Sequence, residues 1–220
     1  ASVPARAATG TDRPHWAMLI DLRACVGCQA CTIACSIENQ VPQGSFRTSV
    51  STYVVKDESG ASGSYMLPRL CNHCEQPPCV PVCPVGATFK RDDGIVLVDG
   101  ERCVGCAYCV QACPYEARYI NHDTGKADKC TFCAHRVEAG LLPACVETCV
   151  GGARVFGDLK DPRSELRRRL AAAKGQVKTL KPEHGTKPNV FYIGLDAGVQ
   201  RRLSGNAAAT AAVEIPATGG

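Results

Sequence analysis

Aromatic side chains are scarce in this chain: five Phe, six Tyr and one Trp make up 5% of 220 residues. A core of ordinary size is short of its largest fillers. Long apolar runs are missing too. The stretches Leu141 to Val146 and Ile95 to Val98 fall far below the roughly 20 residues that cross a bilayer, so no direct membrane span is expected. No basic region followed by an apolar segment succeeds Ala1, and a secretory leader is therefore expected to be absent or already removed. The chain has no Walker A loop, G-x-G-x-x-G, H-E-x-x-H, nucleophile elbow or C-x3-C-x2-C radical-enzyme signature. Without these it has nothing with which to transform a substrate, and no catalytic residue is assigned. The one continuous basic run, Arg167 to Arg169, has no interleaved aromatics; it reads as a solvated helix face, and nucleic acid is not an expected partner.

What the chain does have is sixteen cysteines. Hydrophobic residues are 45% of the sequence, but setting the cysteines aside leaves roughly 38%, a thin core that something else must reinforce. Cys25, Cys28, Cys31 and Cys35 form C-x2-C-x2-C-x3-C, and Cys103, Cys106, Cys109 and Cys113 repeat it. Cys71, Cys74, Cys79 and Cys83 form C-x2-C-x4-C-x3-C, and Cys130, Cys133, Cys145 and Cys149 form C-x2-C-x11-C-x3-C. No cysteine is left over. The first spacing is the bacterial ferredoxin run, and sixteen thiolates are what four 4Fe-4S cubanes require. Disulfides and zinc compete for the same residue type, but tight C-x2-C-x2-C runs place neighbours badly for bridging, and four ligands in one short loop are not how two zinc knuckles close.

Three thiolates from one loop can cap three corners of a cube, while the fourth corner faces away. In two-cluster ferredoxins the last cysteine of each run serves the other cluster. Runs two and three both end in Cys-Pro, at Cys83-Pro84 and Cys113-Pro114, with a short hairpin stretch between them. They pair, and by elimination so do runs one and four. The expected quartets are Cys71, Cys74, Cys79 with Cys113; Cys103, Cys106, Cys109 with Cys83; Cys25, Cys28, Cys31 with Cys149; and Cys130, Cys133, Cys145 with Cys35.

The formal charge of +4 counts every thiol as neutral. Sixteen thiolates around four oxidised cores shift it to about −4. Arg23, Arg102, Lys129 and Arg136 stand beside the motifs in sequence and are expected to offset cluster charge. His73 and His135 could hydrogen-bond near a sulfur, although each reads more simply as a loop histidine.

These features give an α+β fold of two nested bacterial-ferredoxin-like units with a β-hairpin insert and a C-terminal helix plus extended arms. Residues 1–15 form the N-terminal arm, 16–70 and 120–160 the first unit with its insert, 71–119 the second unit, and 161–220 the C-terminal helix and tail. Strands are expected at Trp16 to Leu22, at Phe46 to Lys56 and at Ser64 to Leu67, the last ended by Pro68. Hairpins are expected at Ala87 to Asp99, around Asp92-Asp93-Gly94, and at Arg118 to Lys129. Asp161-Pro162 opens and Gly175 closes a helix, Asn189 to Leu195 reads as a strand, and Ala207 to Gly220 is low in complexity. The hairpin insert carries no ligand and reads either as a contact for a partner subunit or as a plain surface hairpin.

Four runs in this order resemble the iron–sulfur subunits of membrane-bound molybdopterin oxidoreductases. The segments MLIDLRACVGCQACTIACSIENQVPQG, LPRLCNHCEQPPCVPVCPVGATFKRDDGIVLVD, RCVGCAYCVQACPYEARYINH, ADKCTFCAHRVEAGLLPACVETCVGGARVFGDLKDP and KPEHGTKPNVFYIGL are similar to its tetrathionate-reducing branch. Telling among them is Cys149-Val150-Gly151-Gly152, where many relatives have Cys-Pro. The resemblance implies a periplasmic electron-transfer subunit that connects a quinol-oxidising integral membrane subunit with a molybdopterin catalytic subunit reducing tetrathionate to thiosulfate. Polysulfide, thiosulfate and arsenate reduction remain alternatives, and a zinc-stabilised scaffold is the rival of a different class. It also implies that runs two and three face the membrane subunit, so that the group of Cys103, Cys106, Cys109 and Cys83 receives electrons first.

Overall fold

A computed structural model describes residues 13–56 and 62–195, together with the strand at 214–215. In chain order it contains β1 (Trp16–Asp21), α1 (Ala30–Glu38), β2 (Thr48–Lys56), β3 (Ser62–Leu70), β4 (Thr88–Lys90), β5 (Val96–Val98), α2 (Tyr108–Gln111), β6 (Tyr119–Asn121), β7 (Lys126–Asp128), α3 (Ala134–Glu138), α4 (Ala144–Glu147), β8 (Arg154–Asp158), α5 (Glu165–Ala172), β9 (Val177–Lys178), β10 (Val190–Ile193) and β11 (Glu214–Ile215). Five helices and small sheets give the expected α+β class.

The central sheet runs β8-β1-β10-β9, with β1 antiparallel to β8 and parallel to β10. Ala17 to Ile20 are fully buried because both faces of β1 are covered. Met18 and Ile20 face the larger core with Phe132, Phe156 and Tyr192, whereas Ala17 and Leu19 pack with Leu166 of α5. Strands on either side of residue 161 thus share one sheet. The helix starts later than Asp161-Pro162. Ser164 is its N-cap, accepting from the Arg167 N–H at 3.2 Å while donating to the Asp158 carbonyl at 2.7 Å. Asp161 instead closes a turn on the Arg163 N–H at 2.8 Å.

The insert is a long hairpin of β2 and β3, with β11 on the other side of β2. Pro68 does not end β3: the strand continues to Leu70, with Pro68 opposite Val50. β3 is the outer strand of its sheet, where a missing N–H is tolerated. The Pro68 carbonyl accepts from the Tyr192 hydroxyl at 3.0 Å and ties the insert to the central sheet. Val50, Tyr53, Leu67 and Leu70 are buried in the common core, so the base of the insert is structural. Of Gly60, Ala61, Ser62 and Gly63, which read as the turn of the insert, Ser62 and Gly63 already belong to β3; the other two lie outside the described residues, as do the first twelve residues of the arm and nearly all of the tail. Hairpins β4–β5 and β6–β7 form where the sequence places them.

Candidate metal centres

Runs one and three share more than spacing. In Cys25-Val-Gly-Cys-Gln and Cys103-Val-Gly-Cys-Ala, Gly27 and Gly105 have φ of 70° and 71°, and Gln29 and Ala107 have φ of 61° and 63°. Two left-handed residues bend each loop back on itself before α1 or α2 begins. Gly105 is also required by close approach, since a Cβ there would lie 2.2 Å from the Gly125 carbonyl oxygen. α1 then carries Cys31 and Cys35, four residues apart and both buried on one face. In run four, Phe132 and Cys133 are left-handed, α4 carries Cys145, and Gly151 brings its loop against the Ala24 carbonyl.

All sixteen cysteines are free, so disulfides are not the use made of them. One small cavity is lined by Cys35, Cys130, Cys133 and Cys145, another by Cys83, Cys103, Cys106 and Cys109. Cys74 lies near enough to Cys71, Cys113 and Cys79 for each thiolate to oppose the next, and Cys25 stands likewise to Cys31 and Cys149. Cys28 and Cys106 are the exposed members.

The electrostatics suit sulfur ligands of a cationic centre. Burial first, then neighbouring thiols, pushes Cys35 and Cys74 up to about 12. Burial raises Cys25, Cys79, Cys113, Cys130 and Cys145 too. At Cys83 burial is outweighed by the N–H groups of Thr88, Val85 and Ala87, which lower its pKa. Backbone N–H groups of Thr88, Ala127 and Phe132 reach Cys83, Cys103 and Cys130 sulfurs, each at 3.4 Å. A thiol unwilling to ionise alone gives up its proton when a metal takes its place.

The bases nearest the motifs in sequence are mostly engaged with carboxylates rather than sulfurs. Arg23 meets Asp21 at 2.7 Å, Arg102 meets Asp99 at 3.9 Å, and Arg136 meets Glu38 at 2.8 Å and also Glu147. Lys129 is buried. His73 Nδ1 accepts from the Val96 N–H at 3.0 Å, its ring stacks on Phe132, and burial holds its pKa well below the ordinary value. His135 pairs with Glu38 at 2.8 Å. Side chains that do reach sulfur were not singled out by sequence adjacency. Arg118 donates to Cys79 at 3.0 Å, Arg154 to Cys31 at 3.5 Å and Cys145 at 3.7 Å, and Asn39 to Cys35 at 3.6 Å and Cys133 at 3.7 Å. A signal was there for the arginines: each ends a Cys-x3-Ala-Arg segment, Cys113 to Arg118 and Cys149 to Arg154.

Sixteen free thiols on ferredoxin-type loops define an iron–sulfur protein. Residues 24–87 and 63–159 each match a family described as 4Fe-4S dicluster domain, and two diclusters with sixteen cysteines account for four 4Fe-4S clusters. The chain is 63% identical to the B subunit of tetrathionate reductase from Salmonella typhimurium, over 90% of this chain and 80% of that one. It is 48% identical to the thiosulfate reductase electron transfer subunit of Salmonella typhi over 70% of this chain and 80% of the relative. Against the B component of polysulfide reductase from Wolinella succinogenes the identity is 42%, over 81% and 93%. This chain therefore belongs to the family of reductase iron–sulfur subunits. Among the described residues no helix is long and apolar enough to cross a membrane.

Proposed function

We propose that this chain is the electron relay of a reductase complex, passing electrons from a quinol-oxidising membrane subunit to a molybdopterin catalytic subunit that reduces tetrathionate to thiosulfate on the periplasmic side. The observation that carries it is a continuous file of thiol groups with an exposed cysteine at each end. Cys31 interacts with Cys145, Cys130 with Cys71, and Arg118 with both Cys79 and Cys109. These contacts support a single order for the four proposed quartets, with the exposed Cys28 in the last group and the exposed Cys106 in the first.

A bound 4Fe-4S cluster supplies a one-electron carrier. The protein's own part is to hold it with four thiolates, keep water from all but the outer faces, and set its potential through sulfur hydrogen bonds. Exposed Val26 and Val150 in runs one and four, and Val104 and Tyr108 in run three, give both ends apolar surface suited to partner subunits. The choice of tetrathionate rests on the similarity to the Salmonella typhimurium protein.

The test is Cys109→Ser in the assembled complex, with cluster content verified. Breaking the end assigned to the membrane subunit should sharply reduce quinol-driven tetrathionate reduction, while reduction driven by a small dye that donates directly to the catalytic subunit largely persists. Full quinol-linked turnover in the variant, or equal loss of both activities, would refute this placement.

A further inference from the structure

The protein buries three cations without giving them a carboxylate. Arg118, Lys129 and Arg154 are 5%, 1% and 3% exposed, and among the described residues none of them forms a salt bridge with Asp or Glu. Other well-covered bases are treated differently: Arg47 meets Asp128 at 2.9 Å and Arg91 meets Asp93 at 2.8 Å. A buried charge with only neutral neighbours is costly, so the missing anions must come from another source.

What the three have in common is sulfur from two different quartets. Arg154 donates from Nη2 to Cys31 and from Nη1 to Cys145. Arg118 donates from Nη2 to Cys79 at 3.0 Å, and its charge also interacts with Cys109. Lys129 donates to the carbonyls of Val96 and Cys130, and its charge interacts with the thiols of Cys71 and Cys79 as well as with that of Cys130. Groups and cations therefore alternate. The group of Cys83, Cys103, Cys106 and Cys109 is followed by Arg118, then the group of Cys71, Cys74, Cys79 and Cys113. Lys129 comes next, then the group of Cys35, Cys130, Cys133 and Cys145. Arg154 separates that from the group of Cys25, Cys28, Cys31 and Cys149.

We propose that Arg118, Lys129 and Arg154 are positioning residues shared pairwise between adjacent cluster sites, each raising the reduction potential of the two sites it separates. This rests on the reading of the sixteen cysteines as ligands of four clusters. Reduction adds negative charge to a site, and a cation hydrogen-bonded to its ligand sulfur, or fixed between two sites, favours that state. Burial removes the water that would screen the effect. A cation midway between two sites acts on both, and on more distant sites less.

The test is a redox titration, followed by electron paramagnetic resonance, of the whole complex carrying Arg118→Gln, Lys129→Gln or Arg154→Gln. Failure of the wild-type complex to show four 4Fe-4S clusters would refute the relay reading and this proposal with it. With four present, Arg118→Gln should lower two potentials and Arg154→Gln the other two, while Lys129→Gln lowers one from each pair. The expected size is about tenfold in the reduction equilibrium, or about 59 mV for a one-electron couple. Arg118→Lys and Arg154→Lys keep the charge and should leave all four potentials near wild type. Where a glutamine variant loses iron, loss of about eight atoms, four from each flanking site, supports the shared contact; loss of four or of all sixteen overturns it. A shift confined to one cluster, an equal shift in all four, no shift, or lysine variants falling as far as glutamine variants would overturn the proposal while leaving the relay intact.

Discussion

Gly151→Ala tests how runs one and four are joined. A Cβ on Gly151 would stand 2.1 Å from the Ala24 carbonyl oxygen and 3.3 Å from its carbon. The obstacle is backbone, so no side-chain rotation relieves it, and the two loops must part by about 1 Å or more. They have little slack. Ala24 closes a 3-10 turn capped by Asp21, and the Asp21 N–H is bonded to the Ala153 carbonyl at 2.8 Å, two residues beyond Gly151. Overpacking of this kind costs about 1–3 kcal/mol, or roughly 2–12 °C in Tm for a chain of this size. It also moves Cys149 away from Cys25 and Cys31. Metal analysis of the wild type should give about 16 iron atoms per chain with equal acid-labile sulfide and negligible zinc. Gly151→Ala should keep about three quarters of that, the missing quarter coming from the site that Cys149 completes. Gly152→Ala is the control: its φ is 61° but its Cβ would meet open space, so it costs about 1–2 kcal/mol of left-handed strain and should keep its iron. A Gly151→Ala protein with full iron and unchanged Tm, or equal iron loss in both variants, would refute this account of the contact.

Two further outcomes follow from the same geometry. Cys113→Ser should perturb the spectrum of the cluster assigned to Cys71, Cys74 and Cys79, and site-resolved spectra placing the change on the cluster of Cys103, Cys106 and Cys109 would contradict the crossed ligation. Ser164→Ala removes the N-cap of α5 and its bond to Asp158; thermal melting should show a loss of about 1 kcal/mol with iron content unchanged, and accompanying iron loss would mean that α5 does more than brace the central sheet.

Legibility in the sequence tracked how local the determining physics is. Spacing gave the loops, because Cys-Val-Gly-Cys repeats the same left-handed bend wherever it occurs. Asp92-Asp93-Gly94 marked its hairpin, with Gly94 at φ 87°, and the apolar run of β1 marked a strand buried on both faces. Four helices are not legible in the sequence: α1, nine residues that carry Cys31 and Cys35, and α2, α3 and α4, four or five residues long, since a single turn has no periodicity to read and is imposed by the cysteine loops it joins. Pro68 misled because its penalty depends on whether the strand has a neighbour on that side, which is a property of the sheet.

The cations show why the rest was hidden. Arg118 is 39 residues from Cys79, and Arg154 is 123 residues from Cys31, so distance along the chain is a poor measure of which base meets which sulfur. Of the four bases chosen by adjacency, Arg23, Arg102 and Arg136 are spent on carboxylates, and Lys129 alone is buried beside thiols. A better measure was internal repetition. Cys113-Pro-Tyr-Glu-Ala-Arg118 and Cys149-Val-Gly-Gly-Ala-Arg154 place an arginine at the same step past the cysteine that closes each run. Both side chains then use a threonine hydroxyl as their neutral anchor, Thr88 at 3.3 Å for Arg118 and Thr48 at 2.9 Å for Arg154. The corresponding step past Cys83 is occupied by Thr88 itself, so the segment after run three supplies the cation and the segment after run two its anchor. One arginine per pair of runs is enough if each is shared by the two sites of its pair, and Lys129, which lies outside the repeat, is then the residue that joins the pairs.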